Sequence, residues 1–310
     1  MFGDLYMLDR RQFMTSALVA GCVAPGLISP VFSKETFEIG KSKIDIVSDG
    51  HLTLPTSMVL GRVPEAERMA FLAAHPVDED TIKSPLNLTL YRDGERTILF
   101  DAGSGSHFMA SAGKLPAALE ATGVAADEIT HVVFTHAHPD HILGVLDDFD
   151  DLRFANAEYL ISKSEWDYWF DPETVNKVPA ERQSFAVGAK RSMTAIEDKC
   201  FRFNPGEEVL PGIEAVDTAG HTPGHTSFHI RQGSESLMVV GDVITNAAYS
   251  FSNPEWEMGT DSDAAQGVEA RQMLLDRMAS DKMQIIGYHL PHPGTGYVEK
   301  KDGGYVYAAS

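Results

Sequence analysis

Thr135-His136-Ala137-His138-Pro139-Asp140-His141 puts four side chains able to bind a metal within six positions. Imidazole and carboxylate are the donors that Zn²⁺, Mn²⁺ or Fe²⁺ accept, and ligands at i, i+2, i+4 and i+5 are too crowded for one tetrahedral ion. Two ions fit that crowding. The stretch follows His131-Val132-Val133-Phe134, a short apolar run that reads as a buried strand, so the ligands sit in the loop that leaves it.

Three more candidates recur in one local context, each at the end of a β-like run. Ile213 to Asp217 leads to Gly220-His221, Leu237 to Val240 leads to Gly241-Asp242, and Met283 to Ile286 leads to Gly287-Tyr288-His289. Taken singly, a His or Asp at a strand end satisfies backbone groups. Together with the cluster they complete a ligand set, provided their strands share a sheet edge with the one before Thr135, and the neighbouring glycines permit the tight turns required.

Outward from these runs, strands and helices mix. Ile44 to Val47 alternates and Ser48-Asp49-Gly50 offers a turn. An insertion over 55–85 carries prolines at 55, 64, 76 and 85 around an expected helix, with Pro64 in its first turn and Ala66, Met69, Ala70 and Ala73 on one face. Such an insertion reads as a lid, a homodimer contact or a surface excursion. Leu86, Leu88 and Leu90, the Asp93-Gly94 turn and Thr97 to Phe100 form a hairpin that ends at Asp101. A helix over Leu115 to Thr122 and a strand over Ala157 to Ile161 follow. Trp166, Tyr168, Trp169 and Phe170 read as packing residues ahead of a cleft lining, and Cys200 as a packing residue. Hairpins first and alternating units later favour α+β, with two mixed sheets packed together and helices outside, over a doubly wound parallel sheet.

The 310 residues are 43% hydrophobic, enough for a substantial core, and carry a net charge of -20 that repels a phosphate backbone. Nucleic acid is excluded as a partner. Residues 1–33 read as an address: Arg10-Arg11-Gln12-Phe13-Met14 precedes a mildly apolar run from Thr15 to Ile28, resembling a twin-arginine export signal. That implies a periplasmic protein, with a cytoplasmic location as the alternative. Val19-Ala20-Gly21-Cys22 also resembles a lipoprotein cleavage box, and lipidation at Cys22 would anchor the protein at a membrane. Residues 34–310 read as one domain; Cys22 and Cys200 are the only cysteines, so removal of the signal leaves at most one and no internal disulfide.

In order and separation, Thr-His-Ala-His-Pro-Asp-His, Gly-His-Thr-Pro-Gly-His, Gly-Asp and Gly-Tyr-His resemble the metallo-β-lactamase-fold hydrolases over about residues 40 to 298. The resemblance implies an αββα sandwich. It also implies that His136, His138 and His221 hold one ion, Asp140, His141 and His289 the other, and that Asp242 bridges both. A narrower resemblance, to the methyl-parathion-hydrolase and acyl-homoserine-lactonase group, rests on the exported N-terminus, the segment before the core sheet, Ser252-Asn253-Pro254, Asp261-Ser262-Asp263 and the ending His289-Leu290-Pro291-His292-Pro293-Gly294. Thr245 stands where one lactonase pattern has a tyrosine, so another donor must bind a lactone carbonyl. The bridging Asp242 departs from true β-lactamases.

The expected function is that of an exported di-metal hydrolase of esters, lactones or phosphotriesters, with Zn²⁺ first and Mn, Fe or Co also accepted. A hydroxide bridging the ions is the expected nucleophile, because two ions ~3.5–4 Å apart lower the pKa of shared water to near 7. Asp140 is the catalytic carboxylate that takes or holds its proton. Asp101 and His225 are expected to support the ligand loops, while His292, Asp261 and Asp263 read as solvated or capping groups. The alternatives are a hydroxyacylglutathione-type thioester hydrolase and a phosphodiesterase on the same site; the charge opposes the latter.

Overall fold

The computed structural model describes residues 35–310 apart from positions 76, 78, 79 and 302. The expected export signal over 1–33, with Arg10, Arg11 and Cys22, lies outside the described residues. Two mixed sheets of seven strands form the centre. The first runs, edge to edge, through β1 (Glu35–Ile39), β2 (Ser42–Pro55), β3 (Thr81–Arg92), β4 (Thr97–Phe100), β5 (His131–Val133), β6 (Glu158–Ser162) and β7 (Cys200–Phe203). The second contains β8 (Glu208–Leu210), β9 (Ile213–Asp217), β10 (Thr226–Gln232), β11 (Glu235–Val239), β12 (Gln284–Ile286), β13 (Thr295–Lys301) and β14 (Gly304–Ala309), again as sequential neighbours.

Strand alternation builds the layers. In β4, Ile98 and Phe100 turn toward the second sheet and Leu99 toward the helices; β5 splits Val133 from Val132 in the same way, and β6 splits Leu160 from Tyr159 and Ile161. From the other side Leu237, Val239 and Ile286 face the first sheet, whereas Met238 and Ile285 meet Leu274, Leu275 and Met278 of the helix Ala264–Asp281. The result is α+β, an αββα sandwich. Strands buried on both faces explain why these runs are apolar throughout rather than alternating. Between the sheets Phe228 packs against Phe100 and Phe203 at centroid distances of 5.4 and 5.8 Å, pairs that contribute about 0.5–1.5 kcal/mol each beyond burial.

Direction decides where the site forms. β4, β5 and β6 are parallel, so Asp101 and Thr135 emerge at one end of the first sheet. β9 and β11 both run antiparallel to β10, and β12 runs parallel to β11, so His221, Asp242 and His289 follow strand ends at one edge of the second sheet. The ligand strands therefore belong to two sheets rather than to the single edge expected from sequence. The Thr226 amide donates to the Thr135 carbonyl at 2.9 Å and ties those ends together.

Two local expectations are corrected. Ser48-Asp49-Gly50 is no turn: β2 runs on through a bulge between Ser48 and Gly50. Gly50 adopts φ +103° there, and the Asp49 carboxylate accepts from the amides of Ser104 (2.8 Å) and Leu115 (2.7 Å), so the extra residue is satisfied without reversing the chain. The insertion is also shorter than 55–85, because β2 and β3 pair as far as Pro55 and Thr81 and only residues 56–80 leave the ribbon. Its helix is Glu65–Ala74 with Pro64 just before it. The expected face of Ala66, Met69, Ala70 and Ala73 points to solvent. Phe71 turns inward instead, edge-on to Tyr249 and Trp256, since one aromatic ring buries more apolar surface than three alanines.

Candidate metal centre

Seven side chains converge where the two sheets end. His136 Nε2 lies 3.0 Å from His138 Nδ1, which lies 2.9 Å from His221 Nε2. Asp140, His141 and His289 gather beside them, and each of the sets His136/His138/His221, His136/His141/Asp242 and Asp140/His141/His289 offers one donor atom per residue within 4.8 Å of the others. Asp242 stands between the groups: Oδ2 is 3.3 Å from His221 Nε2 and 3.0 Å from His289 Nε2, while Oδ1 is 3.3 Å from His141 Nε2.

The far nitrogen of four imidazoles is anchored. His136 Nδ1 meets Thr135 Oγ1 (3.1 Å), His141 Nδ1 meets Asp101 Oδ2 (2.9 Å), His221 Nδ1 meets Asp261 Oδ1 (3.0 Å) and His289 Nδ1 meets the Pro85 carbonyl (2.9 Å). A proton held on the anchored side leaves the Nε2 lone pair facing the centre. Burial, aided by neighbouring imidazoles, pushes His136 and His138 well below the usual histidine range, so both are neutral and their lone pairs are free. Burial also opposes charge on His141 and His289, yet Asp242 and Asp140 override it and raise both. Burial would likewise raise Asp242, but His289 and His141 hold it well below the carboxylate range.

The residues fit divalent cations. Asp140 Oδ2, His141 Nε2 and Asp242 Oδ1 are buried with no hydrogen-bond partner among the described residues, and the two oxygens lie 3.4 and 3.3 Å from that nitrogen. Orphaned buried polar atoms cost about 1–3 kcal/mol each, and a cation placed among them, with the proton of His141 displaced, removes that penalty.

Both sequence-selected supports sit against this centre. Asp101 accepts from the Thr135 amide at 2.8 Å as well as holding His141. His225 accepts the Asp242 amide on Nε2 at 2.8 Å and meets the Thr218 hydroxyl through Nδ1 at 2.9 Å; burial depresses its pKa to about 3. Gly241 adopts φ +59°, and a Cβ there would lie 2.6 Å from His225 Nε2, so the turn that presents Asp242 requires glycine.

Several contributors escaped the sequence reading. Glu165, fully buried, accepts from the Ala137 amide (2.8 Å), Trp169 Nε1 (2.6 Å), the Thr222 hydroxyl (2.7 Å) and the Gly224 amide (3.0 Å), clamping the two His-bearing loops together. Ser162-x-x-Glu165 has the pattern of a local helix cap, and Ser162 does cap Glu165, which disguises the longer reach. Tyr288 stacks on His141 at 3.9 Å and donates to the Asp140 carbonyl at 2.7 Å. Asp261 is a correction: it is buried, bonded to His221 and to Arg271 of the helix Ala264–Asp281, because that helix draws the 261–263 turn onto the His221 loop. Asp263 caps the same helix as expected. His292 is not solvated but half-buried, with Nδ1 2.8 Å from Asn87 Oδ1. Trp166 and Trp169 are core residues, and Cys200 is a half-buried packing residue.

Above the centre opens a cleft of about 610 Å³ including open solvent. Leu52, Leu54, Met58, Val59, Phe108 and Phe185 make its walls apolar; Arg182, Thr245, Tyr249 and Thr260 add polar groups. The Thr245 and Tyr249 hydroxyls are 3.5 Å apart.

Sequence and structure comparisons agree with this geometry. The profile of the metallo-beta-lactamase superfamily matches residues 83–281. Among curated proteins the chain is 23% identical over 201 residues to the uncharacterized protein YobT of Bacillus subtilis, covering 63% of this chain and 80% of that protein. It is 30% identical to the probable metallo-hydrolase YqjP of Bacillus subtilis over 52% of this chain and 53% of that one. It is also 30% identical to the N-acyl homoserine lactonase AttM of Agrobacterium fabrum over 45% of this chain and 48% of that one. The chain thus spans about half the length of the last two relatives. Solved structures reach further: the hydrolase AbOPH of the beta lactamase superfamily superposes with TM-score 0.83 at 26% identity, covering 90% of this chain and 98% of that one. The dizinc quorum-quenching lactonase AidC, solved with an N-hexanoyl-L-homoserine product, gives TM-score 0.83 at 28% identity over 90% and 97%.

Proposed function

This chain belongs to the metallo-beta-lactamase superfamily, and from that premise we propose that it is a di-metal hydrolase that opens lactones and esters, with acyl-homoserine lactones foremost. The observation that carries the reading is the trio of orphaned buried donors, Asp140 Oδ2, His141 Nε2 and Asp242 Oδ1, at the floor of an apolar cleft. His136, His138 and His221 would hold one ion, Asp140, His141 and His289 the other, and Asp242 would serve both; zinc suits the donors, and the similar AidC is a dizinc lactonase. Bound there, two ions supply a water activated near neutral pH and a Lewis acid for the substrate oxygen.

The chain's own residues supply the rest. Asp140 presents Oδ2 to the centre and takes or holds the proton of the attacking water. Asp101, Asp261 and the Pro85 carbonyl keep the imidazoles in the tautomers that ligation needs. Thr245 and Tyr249 place two hydroxyls on the cleft wall, and these are the donors to a lactone carbonyl where a single tyrosine serves in the lactonase pattern. The apolar walls receive an acyl chain and exclude water. Arg10-Arg11 and the apolar run after them support twin-arginine delivery to the periplasm. The test is a panel of acyl-homoserine lactones, aryl esters, a phosphotriester and a cephalosporin, assayed with zinc-loaded protein and again after chelation. Lactones and aryl esters should be turned over fastest and chelation should abolish the activity; a cephalosporin as the best substrate would overturn the reading.

A further inference from the structure

Arg182 is the one strongly basic side chain lining the cleft among the described residues. Its guanidinium is fixed rather than mobile: Nη1 donates to the Thr260 carbonyl at 3.2 Å and Nη2 to the Gly259 carbonyl at 2.7 Å. No ion pair forms on it among the described residues. Glu181 and Asp261 are the acidic groups near enough to influence it, with Arg62 opposing them; neither forms an ion pair with it among the described residues, and Asp261 already spends its two oxygens on His221 and Arg271. A half-buried cation held by two carbonyls, with no carboxylate in ion-pair reach among the described residues and lining one cleft with apolar Met58, Val59 and Phe185, keeps unfilled hydrogen-bond donors.

We propose that Arg182 reads the substrate, donating to an amide carbonyl oxygen that lies between the scissile ester and the apolar acyl tail. The inference rests on the lactonase reading above and refines it. Two of the five guanidinium N–H groups are committed to the main chain, and the others are left for an acceptor in the cleft. The committed carbonyl dipoles already offset part of the charge, which suits a neutral acceptor. The apolar residues around Arg182 take the alkyl tail that continues beyond the amide. A lactone without the amide would fill the same walls and leave Arg182 unanswered, so the residue discriminates between two otherwise equal substrates. A site built to hydrogen-bond a group rejects the analogue lacking it more strongly than an apolar wall rejects a methylene.

The experiment compares N-hexanoyl-homoserine lactone with α-heptyl-γ-butyrolactone, which carries an alkyl chain of the same reach on the same ring carbon but lacks the amide, on zinc-loaded wild type, Arg182→Met and Arg182→Lys. Metal content and melting temperature of each variant check that the fold is kept. For Arg182→Met, kcat/KM for the amide lactone should fall about 10- to 100-fold, the loss expected of one hydrogen bond to a charged group, carried mainly in KM. The α-heptyl-γ-butyrolactone value should stay within about threefold. Arg182→Lys should lie between, because the ammonium keeps charge but not the fork, and it carries the test alone should the Met variant not fold. Competition by ring-opened N-hexanoyl-homoserine should weaken in the same variants. Equal losses on both lactones, or none on either, overturn the assignment. A wild-type protein that opens neither lactone sinks the lactonase reading itself, which is a separate result.

Discussion

Replacing Glu165 with Gln changes one oxygen to an amide and leaves the volume of the site alone, which makes it a sharp test of how the two His loops are held. Backbone and indole N–H groups can only donate, so Ala137, Trp169 and Gly224 all require an acceptor. Burial leaves the Glu165 carboxyl raised even though Thr222 and these donors lower it, and the three obligate donors need lone pairs on both oxygens. Gln can serve Ala137 and Trp169 with its carbonyl but turns an NH₂ toward the Gly224 amide, donor against donor. The unanswered amide costs about 1–3 kcal/mol and each retained bond loses about 1 kcal/mol with the charge, so the metal-free protein should lose about 3–5 kcal/mol. At about 2 °C per kcal/mol for a chain of this size, the melting temperature should drop by about 6–10 °C. Zinc affinity, read by competition with a chromophoric chelator, should weaken about 10- to 100-fold because the loops carrying His136, His138 and His221 are no longer clamped. Glu165→Gln melting within about 2 °C of wild type and binding zinc unchanged would refute the clamp.

Other outcomes follow from the same geometry. Asp242→Ala should lower bound metal from about two ions per chain to one or fewer by elemental analysis, since its oxygens face four histidines; two retained ions would remove it from the shared position. His225, with its folded pKa depressed to about 3, refuses a proton that the unfolded chain accepts below ~6.5. Its contribution is therefore complete above ~6.5 and is lost as pH falls toward 3, at about 1.4 kcal/mol per pH unit. Urea midpoints of metal-free His225→Gln should accordingly fall less steeply on acidification than those of wild type, and parallel slopes would show that His225 is not the neutral acceptor for Asp242. Changing Arg10 and Arg11 together to Lys should hold full-length protein in the cytoplasm in cell fractionation, and undiminished periplasmic delivery would end the export reading.

What could be read from the sequence was what is written in short range. Six positions hold His136, His138, Asp140 and His141, and each later candidate follows a β-like run directly, so local spacing carried the seven converging residues and the two-sheet architecture. Glu165 is different: apart from Trp169 in its own helix, its partners lie 28, 57 and 59 residues away, and nothing near it signals them. Asp261 looked exposed because its burial depends on Arg271 arriving from a helix not yet formed at that point of the chain. The face of the helix Glu65–Ala74 was misassigned because a count of apolar positions weighs alanine like phenylalanine, whereas buried area does not. Arg182 acquires its meaning only from the two carbonyls that arrest it and from the carboxylate that is already taken.

The ribbon of β2 and β3 extends past the sheet to Pro55 and Thr81, so the excursion over 56–80 hangs from a hydrogen-bonded stem and none of the seven converging residues comes from it. Met58 and Val59 on that excursion still line the cleft. Substrate range and metal chemistry are thereby written in separable text: a library of loops grafted between the ends of the stem can explore new acyl groups while every donor atom stays where the strand ends put it.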